Sequence, residues 1–509
     1  MIKSAKNEIV KGSALLGISA IIVKMIGVIY KVPLSYILGD EGMGYFNSAY
    51  TVYTLFFILS TAGVPKAISI IISKSEAESQ NNSYTIMKTL SLFFLVIGLF
   101  VCILFYLLAY PISNLISNRG ALFSMYVIAP SIPLLCSGGV LRGYLVGKMS
   151  FLPVAISEII SGASKLIFGL LFAVYSSNQG MSVTTISAYT IFGITLGSFL
   201  CMIPLLISVS KNKHKIASIN AKSTIKEALK ITLPITLSSA LSGIAGVIDL
   251  TLIMRGLVAS GYSETVATVI YGNYTTLAIP MFTLISTLIA QISTSLLPSL
   301  VQCGNSIDEK NKTIRFALFL SLFIALPSAL YYFMYPKDVL GILFEEGSVA
   351  LGSAFLASIA PAVLLVAPLT IINTTLEADG KIIAPVISLT IGSVIKLLTS
   401  AFLIGRSDFG ILAASLGTFL SYLVPLVISG IYLYRKTPYR VSLIRCIIIP
   451  TIASSLSVIC GLFIRPVLQT VGNERLNSLI FLLSVGFIYL ILSAILSKNA
   501  SKLCINMSK

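Results

Sequence analysis

Residues 210–230 read SKNKHKIASINAKSTIKEALK, and the fold turns on this stretch because it separates two long apolar tracts that repeat each other. Gly27-Val28-Ile29 before it returns as Gly246-Val247-Ile248 after it, and Tyr45-x-Asn47 returns as Tyr271-x-Asn273. Leu59-Ser60-Thr61 pairs with Ile285-Ser286-Thr287, Tyr110-Pro111 with Tyr335-Pro336, and Ala129-Pro130 with Ala360-Pro361. Pro153-Val154 pairs with Pro385-Val386, and Leu196-Gly197-Ser198-Phe199-Leu200 with Leu416-Gly417-Thr418-Phe419-Leu420. Any one match is noise. Seven in the same order, at offsets between 219 and 232, mark a duplicated unit.

The tracts themselves are membrane-like. Of the 509 residues, 56% are hydrophobic and only 10% charged, with no Trp; the mean hydropathy is +0.97. A soluble domain carries about 25% charged residues, so a soluble fold this apolar would have nothing to cover its surface. A bilayer core takes about 20 apolar residues per helix. Runs of that kind lie near 12–38, 45–72, 85–110, 123–146, 153–175, 185–209, 228–257, 265–299, 313–335, 350–376, 384–404, 410–434, 443–465 and 476–497. The first run follows Lys3, Lys6 and Lys11 but is too long for a signal-peptide core, so it reads as a span. The expected fold is an all-α integral membrane protein of about fourteen transmembrane helices. Two six-helix lobes form a parallel repeat about an axis along the membrane normal, with two extra C-terminal helices. That architecture places a central site between halves. The expected divisions are 1–210, a basic linker 211–226, 227–436, and 437–509.

Charge supplies orientation. With the N-terminus in the cytoplasm, 24 Lys and Arg fall in cytoplasmic loops and adjoining span ends. The external loops hold five, namely Arg119, Lys337, Arg406, Arg465 and Arg475, so the positive-inside rule selects cytoplasmic N- and C-termini. The net charge of +17 is therefore a topology signal, not a nucleic-acid footprint. The 211–230 lysines are placed to rest on anionic lipid. Seven Cys are scattered through apolar runs without a C-x-x-C pair, and the one His, His214, lies in the basic loop. No disulfide framework, metal site or cofactor is expected.

Eight charges remain inside the spans: Lys24, Lys31, Lys66, Lys165, Arg255 and Lys396 against Glu158 and Asp249. Each costs ~2.5–3.5 kcal/mol even on lenient scales, so such residues mark cavities and pathways. Lys24 lies ~18 Å into the first span, near the midplane, and Lys24, Gly27 and Lys31 share one helical face, with Gly27 read as admitting close approach. Lys165 and Lys396 follow their Pro-Val pairs at nearly the same distance. Glu158 sits two turns before Lys165, and an acid–base pairing could explain both. Lys31 and Arg255 are near outer span ends, where long side chains can snorkel. Lys66 follows Gly63-Val64-Pro65, where a helix bends. A cationic surplus attracts anions. The expected cavity cations are Lys24, Lys31, Lys66 and Arg255, with Glu158, Lys165, Asp249 and Lys396 as a second tier.

Several motifs carry a family likeness. Lys24-x-x-Gly27, Leu38-Gly39-x-x-Gly42-x-Gly44-Tyr45 and Gly63-Val64-Pro65-x-Ala67 come first. Arg142-Gly143-Tyr144 with Gly147, then Pro153 and Ile156-Ser157-Glu158, come next. Asp249 with Arg255, Ala267, Tyr271-Gly272 and Leu297-Pro298 complete the set. In that order they resemble the polysaccharide exporters of the multidrug/oligosaccharidyl-lipid/polysaccharide flippase superfamily. The likeness covers nearly the whole chain and is nearest to the branch holding the stage V sporulation protein B and lipid II flippase types. It implies export of an undecaprenyl-pyrophosphate-linked saccharide, such as a peptidoglycan precursor, across a bacterial plasma membrane by alternating access. Basic residues of the first span would meet the pyrophosphate, and Lys24 falls at such a position. Tyr30 stands where some relatives carry Arg, no basic residue is found near Asn273, and Lys165 replaces an Arg. The implied partners are the lipid-linked oligosaccharide, anionic lipids, cell-wall synthesis enzymes and a coupling ion.

Two rivals were weighed. An ion-coupled multidrug antiporter would bind cationic cargo through carboxylates, for which only Asp249 and Glu158 are available. A membrane-embedded glycosyltransferase or polymerase needs acid–base residues in sizeable loops, and no loop much exceeds ~20 residues. The chain has no G-x-x-x-x-G-K-[ST], so it is not itself an ATPase, and it is expected not to be an enzyme. Cysteines introduced in the 211–226 loop should react with a membrane-impermeant maleimide only from the cytoplasm, and those in 336–349 only from outside. The opposite sidedness would overturn the orientation.

Overall fold

In hydrocarbon no water is present to satisfy a backbone N–H or C=O, so a chain this apolar has to become helices. The computed structural model describes residues 2–77, 82–211, 219–302, 306–381, 383–404, 412–440, 443–468 and 474–506, and among them there is no strand. The helices of the first half are α1 (Ile2–Thr61), α2 (Val64–Ala77), α3 (Ser83–Leu115), α4 (Leu122–Ile128), α5 (Ser131–Gly147), α6 (Leu152–Asn178), α7 (Val183–Leu200) and α8 (Met202–Ser210). After the basic stretch come α9 (Ala221–Ala259), α10 (Glu264–Asn273), α11 (Ile279–Gln302), α12 (Ile307–Met334), α13 (Pro336–Gly341) and α14 (Glu346–Ala378). The last are α15 (Ile383–Leu403), α16 (Leu412–Lys436), α17 (Leu443–Leu468) and α18 (Glu474–Asn506).

Eleven helices among the described residues are long and apolar enough to cross a bilayer, twelve if the bent pair Arg119–Ile128 and Ser131–Gly147 is one span. Fourteen were expected, and the difference lies in two places. One of the eleven is a 59-residue stretch, Ile18–Glu76, which is broken at Gly39, where φ is 64° and ψ −179°. Only glycine adopts that conformation readily. Tyr30 and Phe46 flank the break with ring centroids 6.3 Å apart, although 16 residues of straight helix would separate them by about 24 Å. The two arms therefore fold back on each other. The other place is α9, which has 39 residues but is not among the eleven.

By packing, the chain divides into one unit of residues 1–258 and 262–272 and another of 259–261 and 273–509. In the first, Val64, Ile68 and Ile72 of α2 pack with Leu90 and Phe94 of α3 and with Val140 and Tyr144 of α5. Helix α3 shows how lipid sets the pattern. Leu90, Phe94, Gly98, Cys102 and Phe105 are buried, whereas Leu92, Val96, Phe100, Ile103 and Leu107 are exposed, Leu107 by 71%. Both faces are apolar because one meets protein and the other hydrocarbon. In the second unit Tyr335, Val458, Phe481 and Val485 form a smaller core.

The repeat recurs as a contact inside each unit. Gly197 of α7 lies over the Lys165 turn of α6, a Cβ there meeting the Lys165 nitrogen at 3.6 Å. Gly417 of α16 lies over the Lys396 turn of α15, a Cβ there meeting the Lys396 carbonyl at 3.3 Å. Each glycine belongs to the Leu-Gly-Ser/Thr-Phe-Leu pair.

Near the α6–α7 crossing, Gly193 is pressed onto Gly169, with 2.7 Å from its would-be Cβ to the Gly169 Cα. Gly27, by contrast, meets nothing within 4 Å, so the expected close approach there is not made. Gly193→Ala should lower stability by about 1–3 kcal/mol through overpacking, read as a lower Tm of the detergent-purified protein. Gly27→Ala should be neutral or stabilising, since Ala for Gly inside a helix gains about 0.5–1 kcal/mol. Equal Tm values for the two variants would contradict the packing described.

Candidate functional site

The spacing Phe46, Tyr50, Tyr53, Phe57 puts four rings on one face of the second arm of α1, at intervals of three and four residues. Phe46 stacks on Tyr50, with centroids 6.3 Å apart and planes at 10°, and the row continues through Tyr53 to Phe57 at 5.9 Å steps. The break at Gly39 returns the first arm so that Tyr30 joins the row from the other side. Helix α6 then runs past these rings and delivers Lys165 into them.

The Lys165 Nζ stands 4.6 Å from the centroid of Tyr50, 5.4 Å from Tyr30 and 5.9 Å from Phe46. An ammonium over a ring face is attracted by the ring quadrupole, by about 0.5 kcal/mol at exposed sites and ~2 kcal/mol when desolvated. Lys31, half-buried one turn from the rings, lies within electrostatic range of Lys165 and repels it. The acid that could have neutralised this pair is engaged elsewhere. Glu158 accepts a hydrogen bond from Ser19 Oγ at 3.0 Å, tying α6 to the first arm of α1. Among the described residues Lys165 and Glu158 form no ion pair. Tyr30 is 1% exposed, and its hydroxyl has no hydrogen-bond partner among them. A Cβ on Gly169, one turn past Lys165, would lie 2.6 Å from that hydroxyl. The result is one ammonium held over three rings beside an unused hydroxyl, with no ion pair to Lys165 among the described residues.

The other candidate residues are dispersed. Lys24 lies on the first arm of α1, with its side chain outside the described residues. Lys66 is exposed in the first turn of α2. Arg255 is exposed, and its Nε donates to the Leu115 carbonyl at 2.6 Å, so it caps α3, whose last carbonyls have no intrahelical donors. Asp249 is half-buried on α9, and Lys396 is half-buried on α15 within electrostatic reach of Tyr422. Asn273 is buried and donates to the Ser348 carbonyl at 2.8 Å. It immediately precedes a π-helical turn, Tyr274–Ala278.

At one end of the first unit the turn after Gly39 is sealed. Gly272 of α10 lies against the Asp40 carbonyl and the Gly44 nitrogen, the latter 2.6 Å from a would-be Cβ. Thr268 lies over Gly44 with its Cγ2 at 2.5 Å from a would-be Cβ there. Backbones this close admit no side chain.

These features define a class, a multi-pass helical membrane protein with intramembrane cations and no metal cluster among the described residues. The chain belongs to the polysaccharide biosynthesis protein family, whose profile matches residues 9–303. It is similar to stage V sporulation protein B of Bacillus subtilis (strain 168), at 22% identity over 96% of this chain and 95% of that one. Its fold is that of a solved lipid II flippase MurJ in an inward closed conformation, with a TM-score of 0.75, 18% identity, and coverage of 96% and 99%. An inward-facing multidrug resistance MATE family transporter also matches, with a TM-score of 0.63, 12% identity, and coverage of 81% and 93%.

A double-mutant cycle tests the aromatic box. Lys165→Met and Tyr50→Leu should be coupled by about 0.5–2 kcal/mol in unfolding free energy. Tyr50→Phe, which keeps the ring, should preserve most of the coupling. Strict additivity would show that Lys165 does not use the ring.

Proposed function

We propose that this chain moves an anionic lipid-linked saccharide, carried on undecaprenyl pyrophosphate, across the bacterial plasma membrane by alternating access. In this reading the N- and C-termini are cytoplasmic, the protein is a transporter and not an enzyme, and no cofactor takes part. The observation that carries it is the Lys165 ammonium, held over the rings of Tyr30, Phe46 and Tyr50 with no ion pair to Glu158, which Ser19 engages instead. Ring attraction leaves that charge to be neutralised by an anion. A pyrophosphate diester supplies about two negative charges, and each ammonium at contact distance contributes ~1–4 kcal/mol in a partly screened cavity. The unused Tyr30 hydroxyl is a further donor for phosphate oxygens. A cation-exporting antiporter would need the opposite sign here.

The depth of Lys24 on the first arm makes it the second cation of the path in this proposal, while Lys66 and Arg255 stand at the ends. Peptidoglycan precursor is the cargo that the flippase-type relatives suggest, with sporulation or vegetative wall growth as its setting. The Gly272–Gly44 contact is the seal that has to part for release, and Lys165 meets the head group as a point charge, without the fork of arginine.

Flipping of a fluorescent undecaprenyl-pyrophosphate saccharide in proteoliposomes tests the proposal. Lys165→Ala and Lys24→Ala should each slow it by about tenfold or more, the equivalent of ~1.4 kcal/mol in the barrier, with Lys165→Arg and Lys24→Arg partly active. Lys24→Glu should be worse than Lys24→Ala, because it reverses the field the head group meets. Normal flipping by Lys165→Ala, Lys24→Ala and Lys24→Glu at equal incorporation would sink the cationic mechanism.

A further inference from the structure

A second polar cavity, of about 710 Å³, lies wholly within the unit 273–509, between the α13–α14 corner and the facing ends of α17 and α18. By the expected topology it opens to the outside. Its floor is rigid. Tyr335 packs edge-on against Phe481 at 4.8 Å, and its hydroxyl donates to the Val458 carbonyl at 2.6 Å. One wall is an ion pair. Asp338, 9% exposed, takes the Arg465 Nη2 at 3.1 Å and accepts from Ser478 Oγ at 3.3 Å.

Other parts of the lining are acidic or lack a partner at one atom. Glu346, at the start of α14, and Glu474, at the start of α18, bring their carboxyl groups within hydrogen-bonding reach of each other. Two carboxyl groups this close either share a proton or take a cationic donor between them. Asn477 is one turn beyond Glu474 on the same helical face; it is 9% exposed, and its Oδ1 has no hydrogen-bond partner among the described residues. Two carboxyl groups and an amide oxygen therefore line this side of the cavity. The opposite lack exists nearby, because the Arg465 Nε is a buried donor with no acceptor, and Lys337 also lines the cavity.

Ligand chemistry follows from these deficits. A bare metal ion would leave most of the volume unused, and no cluster of three or more His, Cys, Asp or Glu among the described residues suits one. Small-molecule sites commonly run to about 300–1,000 Å³. A primary ammonium offers three donors and one positive charge, matching Glu346, Glu474 and the Asn477 Oδ1. A carboxylate matches the Arg465 Nε and Lys337. We infer that this cavity is a binding site for a zwitterionic amino acid or short peptide, its ammonium at Glu346, Glu474 and Asn477 and its carboxylate at Arg465 and Lys337.

The inference stands apart from the proposed cargo, because its first test uses a free dipeptide. Titration calorimetry of the full-length protein in detergent should detect alanyl-alanine. The N-acetylated and C-terminally amidated forms should bind about tenfold or more weakly, the scale of one charge-assisted contact. Glu474→Gln and Glu346→Gln, both at exposed positions tolerant of exchange, should weaken alanyl-alanine to a similar degree at unchanged Tm. Equal binding of the blocked dipeptides, or no binding by any form, would overturn the site. So would a Glu474-dependent heat from calcium chloride with none from dipeptide. The source of the peptide is read from transport. Slower flipping by Glu474→Gln confined to a peptide-bearing lipid-linked cargo assigns the site to that head group. Flipping unchanged for cargoes with and without peptide assigns it to a free peptide.

Discussion

A positive charge at membrane depth has to be compensated, and in this protein Lys165 is compensated by three rings instead of a carboxylate. That choice has structural consequences. The rings come from both arms of α1, so the break at Gly39 is required to bring Tyr30 back beside Phe46 and Tyr50. The Tyr30 ring in turn needs Gly169 beside it, and Gly169 is also where α7 crosses closest through Gly193. Removing a carboxylate from the Lys165 neighbourhood leaves net positive charge. Quadrupole attraction stabilises the lysine without neutralising it. In the proposed function that remaining charge is what an anionic head group meets.

The two copies of the repeat have been put to different use. Lys165 and Lys396 occupy matching turns, each under a glycine from the same five-residue pattern. Around Lys165 the partners are Tyr30, Phe46 and Tyr50, while near Lys396 the aromatic group within electrostatic reach is Tyr422. Duplication thus preserved the helix crossing and let the surroundings diverge. The second unit carries a polar cavity between the α13–α14 corner and helices α17 and α18, the last two lying outside the repeat.

Much of this was legible in the sequence, and what was not has physical causes. Apolar runs of bilayer length and the repeat pattern announced the helical membrane fold, because hydrocarbon leaves the backbone few alternatives. The pairing of Lys165 with Lys396 followed from spacing alone. The partners of Lys165 did not, since Glu158 two turns away is too far to bond it along one helix, and which neighbours each residue meets, rings for Lys165 and Ser19 for Glu158, is set by tertiary packing. The ring row Phe46, Tyr50, Tyr53, Phe57 was readable as a stripe, but in an apolar span a stripe of rings looks like packing until a charge is placed over it. Gly27 looked like a close-packing site and meets open space, while Gly193 and Gly272, unremarkable in sequence, make the tight backbone contacts. The Arg255 guanidinium donates to the end of α3, a contact set by tertiary position that the sequence did not show.

The most direct test of the account is the identity of the lipid that the protein carries. Lipids retained by the full-length protein after mild detergent extraction can be identified by mass spectrometry of their head groups. The account predicts an undecaprenyl-pyrophosphate saccharide, depleted in Lys165→Ala and retained in Lys165→Arg. Recovery of only bulk phospholipid, together with tight binding of a lipophilic cation that Lys165→Ala leaves unchanged, would contradict it.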